Sequence, residues 1–317
     1  MIQRRTVGIV GTGHVGTAAA YALFNQGIAP RLLLLDANSD RAEGEAMDLM
    51  HGQMLVGRVT CEAVDYAGLS DAQVIVVSAG AGQASASETR LDLLKRNASI
   101  FRDIITELDR HAPEAILIVA TNPVDVLTYI SQELSERPNE RIIGTGTLLD
   151  TARFRALLGR RYGVDPRSVH AYILGEHGDS EVPIWSNATI GGQPIYQQTA
   201  LGTPWDEAAM QHIFEQARNA AYRIIEKKGY TNTAIGVVIA RIVRSILDDQ
   251  QSVLPVSTRP EGAYGIEDVC LSTPCVLGLN GAGAKVTPTL TPDEEDALRA
   301  SADALRASRN GLNLSAL

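Results

Sequence analysis

No stretch of this 317-residue chain has the length and apolarity of a membrane-spanning helix; its relevant run, Leu32 to Leu35, is strand-sized. Basic charge is not in excess either. Twenty-eight Lys and Arg stand against 37 Asp and Glu, a net charge of −9, which argues against a nucleic-acid-binding role and its concentrated basic face. The start, Met1-Ile2-Gln3-Arg4-Arg5, leads directly into a strand pattern without an apolar h-region or small-residue cleavage site, so no signal peptide is expected. Cysteine is scarce. Cys61, Cys270 and Cys275 are odd in number and lack metal-ligand spacing, so plain thiols in a reducing cytoplasm are expected, and no metal. Internal repeats, low-complexity segments and flexible linkers are also missing. What remains is ordinary for a soluble globular protein, 45% apolar and 21% charged, at a length that suits two fused domains.

The first half alternates short apolar blocks with helical patterns, the sign of a parallel sheet wrapped by helices. Strands are expected at 6–10, 31–36, 74–79, 115–120 and 141–144, several of them unbroken Val, Ile and Leu as in strands buried on both faces. Helices are expected at 14–26, 40–51, 91–111 and 123–136. After Gly146 the pattern changes. It reads as a helix at 149–162, a strand at 168–174, a hairpin turning at Gly191-Gly192, and helices at 203–228 and 233–250. Strands near 253–258 and 269–279 then precede a last helix at 292–308. Thr291-Pro292-Asp293-Glu294 marks the start of that helix: a capping hydroxyl, Pro in the first turn, then acids at the positive end of the dipole. The boundary falls near residue 145, giving a doubly wound parallel α/β domain at 1–145 and a mixed α+β domain at 146–317.

The segment Gly11-Thr12-Gly13-His14-Val15-Gly16 follows the first strand and opens the first helix. In this G-x-G-x-x-G spacing the first glycine permits a tight turn, the second lets the backbone approach a pyrophosphate, and the third lets helix and strand pack closely. The helix N-terminus then offers free N–H groups to the phosphates. Asp36, twenty residues after Gly16, closes the second strand, where its carboxylate would accept ribose hydroxyls and repel a 2′-phosphate. No Lys or Arg follows before Arg41, so NAD is expected rather than NADP. Small residues from Ser78 to Gly82, Gly80 among them, suit a chain passing beneath a dinucleotide. Asn122 stands at another strand end, placed for the nicotinamide amide or the substrate, with helix capping as its structural alternative. These features specify a Rossmann-type domain.

Three further groups suit the reduction of an anionic keto acid. Asp150 and Arg153, three residues apart, share one helix face. His177 lies between residues of the Gly175-Glu176-His177-Gly178-Asp179 segment, where glycines let a ligand come close. Hydride transfer to a ketone leaves negative charge on oxygen unless a proton arrives with it, and His177 is the natural donor. A carboxylate behind the imidazole, Asp150, would fix its tautomer. Arg153 offers a planar fork for a carboxylate. The small, polar stretch from Gln83 to Thr89 reads as a flap, and Arg90 at its end would swing in to polarise the carbonyl.

This constellation resembles the L-lactate/malate dehydrogenase superfamily, most closely its L-lactate dehydrogenase branch, over nearly the whole chain. The resemblance is carried by residues 11–16, Asp36, Thr89-Arg90-Leu91-Asp92-Leu93, Asn122-Pro123-Val124-Asp125, residues 144–155 and 174–180, and Lys228-Gly229-Tyr230-Thr231. It implies His177 as proton donor and acceptor, Asp150 as its partner, Arg153 as carboxylate anchor, Arg90 as flap arginine and Thr231 as a pocket wall. It also implies NAD, a cytoplasmic glycolytic or fermentative setting, and a homo-oligomer, tetramer or dimer. The position that similar malate enzymes fill with Arg corresponds to Gln83, and the flap carries Glu88 and no cation before Arg90; a second substrate carboxylate would stay unpaired there. Pyruvate and lactate are therefore the expected pair. The flap lacks the family's usual Pro-Gly and is one residue longer before Arg90, so malate and broader 2-hydroxy-acid dehydrogenases stay as alternatives. A catalytically silent NAD-binding protein would have lost some of His177, Asp150, Arg153 and Arg90, and all four are present. Arg155 and His170 match positions through which bacterial relatives bind fructose 1,6-bisphosphate, an expected activator.

Overall fold

The computed structural model describes residues 5–82 and 90–312. In chain order the first half comprises β1 (Thr6–Val10), α1 (His14–Asn25), β2 (Arg31–Leu35), α2 (Ser39–His51), α3 (Gln53–Val56), β3 (Thr60–Ala63) and β4 (Val74–Val77). It continues with α4 (Arg90–His111), β5 (Ile116–Val119), α5 (Val124–Leu134) and β6 (Ile142–Gly144). The second half opens with α6 (Leu148–Tyr162), β7 (Val169–Leu174), β8 (Val182–Ile190) and β9 (Gln193–Pro194). It closes with α7 (Glu207–Arg218), α8 (Ala220–Lys228), α9 (Thr233–Leu247), β10 (Ser252–Thr258), β11 (Leu271–Gly278), β12 (Gly281–Lys285) and α10 (Pro292–Asn310).

Six parallel strands lie in the order β3-β2-β1-β4-β5-β6, so the winding direction reverses between β1 and β4. The mostly apolar sequences of β1, β4 and β5 are accounted for by burial on both faces, since every residue of these three strands is buried. Register aligns Val10 with Leu35 on one side and with Val77 on the other. The chain therefore leaves three neighbouring strands at one edge, which brings Gly11, Asp36 and Ser78 together. Ligands of such sheets bind at this edge, by the reversal point.

The second half is not a separate block. β10 pairs antiparallel with β6 at Ser257 opposite Gly144, and β11 and β12 extend the sheet to nine strands. Helix α9 lies against α1 so closely that a Cβ on Gly236 would sit 2.6 Å from the Ala18 carbonyl oxygen. The remaining strands form a small antiparallel sheet, β7-β8-β9, whose turn uses Gly191 and Gly192 at φ +56° and +86°. Two central residues with positive φ match the right-handed twist of a hairpin. Phe154, Leu158, Ile173, Ala188 and Phe214 fill a core between this sheet and helices α6 and α7. Helix α10 begins with a capping box between Thr291 and Glu294, with Pro292 in the first turn. All three cysteines are buried free thiols.

Several elements depart from the sequence expectation, the short helix α3 among them. Strand β3, Thr-Cys-Glu-Ala, forms at the sheet edge with only Cys61 buried, so it shows no apolar run. β12 contains two glycines in five residues, a poor strand composition, and exists because β11 supplies its partner. The helix expected at 203–228 is two helices: Asp206 accepts from Ala209 N to start α7, and the chain breaks at Asn219. Met210, Ile213, Phe214 and Ala217 anchor α7 in the core, while α8 buries no residue fully and lies over the ligand pocket.

Candidate active site

The cofactor side is built from backbone. Gly11 takes φ +95°, and a Cβ there would lie 2.4 Å from the Ala79 nitrogen. At Gly16 a Cβ would come 1.9 Å from the Gly11 carbonyl oxygen, so the loop closes on its own helix only without side chains. Gly13 caps α1, and a Cβ there meets nothing within 4 Å, which leaves an open approach to the helix N-terminus. No side chain caps that end of α1. Asp36 is locked in place: Oδ2 accepts from Thr12 N (2.6 Å) and Thr12 Oγ1 (3.0 Å), and Oδ1 accepts from Asn38 N (2.9 Å). Burial alone would raise this carboxyl, but these hydrogen bonds and the charge of Arg41 hold it below the ordinary carboxylate value.

A cleft of about 1170 Å³ runs from Asp36 and Arg41 past Gly11 and Gly13 to Gly80 and Ala81. The open glycine backbone, the uncapped helix end and an ionised acid at the second strand end fit a dinucleotide whose ribose carries free hydroxyls. Gly80 and Ala81 also line a second cavity of about 490 Å³, so the two spaces share a wall.

That second cavity holds the charged groups. Helix α6 presents Asp150 and Arg153 one turn apart. Thr147, the N-cap of this helix, and Thr151 within it bond the Ile173 backbone, and Gly175 and Ser272 exchange two backbone hydrogen bonds (3.0 and 2.9 Å). The loop after β7 is thereby fastened to α6 and β11, and His177 N donates to Asp125 Oδ2 at 2.7 Å. The result is a shared carboxylate. Asp150 Oδ2 meets His177 Nδ1 at 2.6 Å, and Oδ1 accepts from Arg153 Nη1 at 2.8 Å.

Asp150 is 2% exposed and His177 about a quarter. Burial alone would lower the imidazole, but the charge and hydrogen bond of Asp150, with Asp125 and Glu181 nearby, push it up to about 9. Asp150 is held below the ordinary carboxylate value: burial opposes its charge, and His177 and Arg153 outweigh burial. Such an array can hold a proton on His177 at neutral pH, with Nε2 the ring nitrogen not engaged by Asp150. It can also offer the rest of the Arg153 fork to an anion.

Of the other residues singled out by sequence, Asn122, Val15 and Thr231 line this cavity. Asn122 does not cap α5, whose N-cap is Pro123; its carbonyl accepts from Asn97 Nδ2 at 3.3 Å. The His14 ring lies flat on Tyr230, centroids 3.8 Å apart, so its side chain joins the cofactor loop to the segment that carries Thr231. Gln83 lies outside the described residues, as does the Arg90 side chain; the Arg90 backbone begins α4. Arg155 and His170 are away from the cavity: Arg155 Nε donates to the Ala171 carbonyl (2.8 Å), beside the exposed His170 on β7.

Sequence reasoning missed three residues. Thr12 was an unassigned position of the glycine motif, yet it orients Asp36 through two bonds. Asp125 reads as a dipole-favoured acid in the first turn of a helix, but it is 2% exposed and burial pushes it up to about 6. Glu181 reads as a solvated acid at a strand edge. It is instead 6% exposed and lines the cavity.

Residues 5–144 match the NAD binding domain of lactate/malate dehydrogenases, and residues 147–312 match their alpha/beta C-terminal domain. The chain is 74% identical over 314 residues to an L-lactate dehydrogenase of Salinibacter ruber, covering 99% of each. It is 46% identical over 308 residues to one of Priestia megaterium, covering 97% of this chain and 96% of the relative. The crystal structure of the minor L-lactate dehydrogenase from Enterococcus mundtii superposes with a TM-score of 0.95 at 42% identity, covering 98% of this chain and 99% of that one. With both domains matched in order and the geometry of the two cavities in place, this chain belongs to the lactate/malate dehydrogenase family.

Proposed function

We propose that this protein is an NAD-dependent L-lactate dehydrogenase that interconverts pyruvate and (S)-lactate. The observation that carries the reading is the Asp150 carboxylate divided between His177 and Arg153 at the wall shared with the dinucleotide cleft. When bound, NAD supplies or accepts the hydride. Arg153 holds the substrate carboxylate through its planar fork. His177 gives the carbonyl oxygen its proton from Nε2 during reduction and takes it back during oxidation, while Asp150 fixes the Nδ1–H tautomer and stabilises the imidazolium. Asn122 and Thr231 orient the ligand from opposite elements. Arg90 serves as the flap cation, and closure of the flap expels water.

Pyruvate is favoured over oxaloacetate by the neutral Gln83 and the acidic Glu88. The division near residue 145 separates cofactor binding from most of the substrate site. No helix among the described residues is long and apolar enough to cross a membrane, and a cytoplasmic location is our reading. We further propose a homo-oligomer, tetramer or dimer, with Arg155 and His170 receiving fructose 1,6-bisphosphate; an unchanged pyruvate half-saturation on adding it would remove that part. Steady-state rates with NADH on pyruvate, oxaloacetate and 2-oxoisocaproate test the substrate. The highest kcat/KM is expected on pyruvate, and a higher value on oxaloacetate would overturn the assignment.

A further inference from the structure

Glu181 has no part in the mechanism above, yet it stands inside its machinery. Its carboxylate lies in a triangle with Asp150 and His177 in which one polar atom of each residue lies within 4.8 Å of those of the other two. It is 6% exposed, and its Oε1 has no hydrogen-bond partner among the described residues. A buried polar oxygen left unpaired calls for an explanation, and an ionised one is far costlier than a neutral acid. The charged and titratable groups facing it are Asp150 and Arg153 from α6, His177 from the loop after β7, and Arg218 from the end of α7. Asp179 and Tyr222 stand on the same cavity wall. Burial, then the charge of Asp150, push this carboxyl up to about 8, against the pull of the three cations.

We propose that Glu181 is a substrate-positioning residue that must be neutral when the anionic substrate is bound, so that in alkaline solution it takes up a proton from solvent as the substrate enters. An ionised Glu181 competes with the substrate carboxylate for the guanidinium groups of Arg153 and Arg218; a neutral Glu181 leaves them to the substrate. The inference rests on the dehydrogenase reading, because it takes the ligand to be a monocarboxylate held at Arg153. Its consequence is a count of protons. A 2-oxo acid requires protonated His177, so that residue alone accounts for an uptake of at most one proton per site. With Glu181 the uptake above about pH 9 exceeds one, because both groups are then largely deprotonated in the free site.

The test is calorimetry of oxamate, an unreactive pyruvate isostere, binding to the NADH-loaded protein in buffers of different ionisation heat. The wild type is expected to take up more than one proton per site above about pH 9, and Glu181→Gln at most one. Equal uptake in the two proteins, or wild-type uptake of one or less, overturns the proposal; the second outcome needs no variant and so survives a Glu181→Gln that fails to fold. Failure of the loaded protein to bind oxamate or turn over pyruvate at neutral pH, where His177 is protonated, would instead sink the dehydrogenase reading.

Discussion

The two cavities share a wall at Gly80 and Ala81 but are made of different materials. The cofactor cleft combines glycine backbone with larger apolar side chains such as Met47, Met50, Tyr66 and Ile104, and its Asp36 is held by three hydrogen bonds. The substrate pocket is a knot of charge: Asp150, Arg153, His177, Glu181 and Arg218 in a space less than half as large. Steric permission makes the first. Electrostatic balance makes the second, where removing one partner strands the others in a low-dielectric setting. The first should therefore fail to added volume, and the second to a change of charge or fork geometry.

The largest effect is expected at His177. His177→Asn keeps a polar side chain but removes the proton carrier, and kcat for pyruvate should fall by about 10²–10⁴-fold. A loss under about tenfold would show that another group donates the proton. Next comes Arg153→Lys, which keeps the charge and loses the fork. A lost hydrogen bond to a charged group costs about 1.5–3 kcal/mol, so the pyruvate KM should rise at least about tenfold, more than kcat falls. An unchanged KM would mean that a point charge suffices there.

On the cofactor side a single methyl group separates two kinds of glycine. Gly16→Ala puts a Cβ against the Gly11 carbonyl and should lower both Tm and NADH affinity. Gly13→Ala meets nothing in the free protein, so Tm should hold while NADH binding weakens several-fold, read by fluorescence titration. Equal effects of the two on Tm would contradict the division between packing glycine and ligand-facing glycine.

The smallest effect is on stability. The His177 imidazole rises from 6.5 to about 9 in the folded protein. A base raised on folding stabilises fully below its unfolded value and loses that contribution as pH climbs through the folded one. The Tm difference between wild type and His177→Asn should therefore be constant below about pH 6.5 and shrink between 6.5 and 9. Pyruvate reduction should decline above about pH 9, and lactate oxidation below it. A Tm difference independent of pH would place the charged imidazole's partner elsewhere.

The same contrast governs what could be read from the amino acids. The glycine loop and Asp36 were legible because their requirement is local: a strand, a tight turn and a helix in one short stretch. Asp150 and Arg153 were legible as a pair by helical spacing, and the structure brings His177 to them. Glu181 and Asp125 were not, since burial of an acid is a property of what folds over it, and neither residue differs locally from a solvated one. Strand β12 was hidden for a similar reason, its glycines signalling a loop until β11 is placed beside it. The split at Asn219 depends on α7 having a core to anchor it and α8 having none.

The division of the Asp150 carboxylate has one more consequence. Because each of its oxygens holds one of the two substrate-facing cations, the guanidinium and the imidazole keep a fixed separation. On the proposed reading, the pair would receive a carboxylate and a carbonyl carried by adjacent carbons. A molecule is measured by whether its oxidisable carbon adjoins its acid group, so a 3-hydroxy acid of the same size and charge would fit the cavity and fail the measurement.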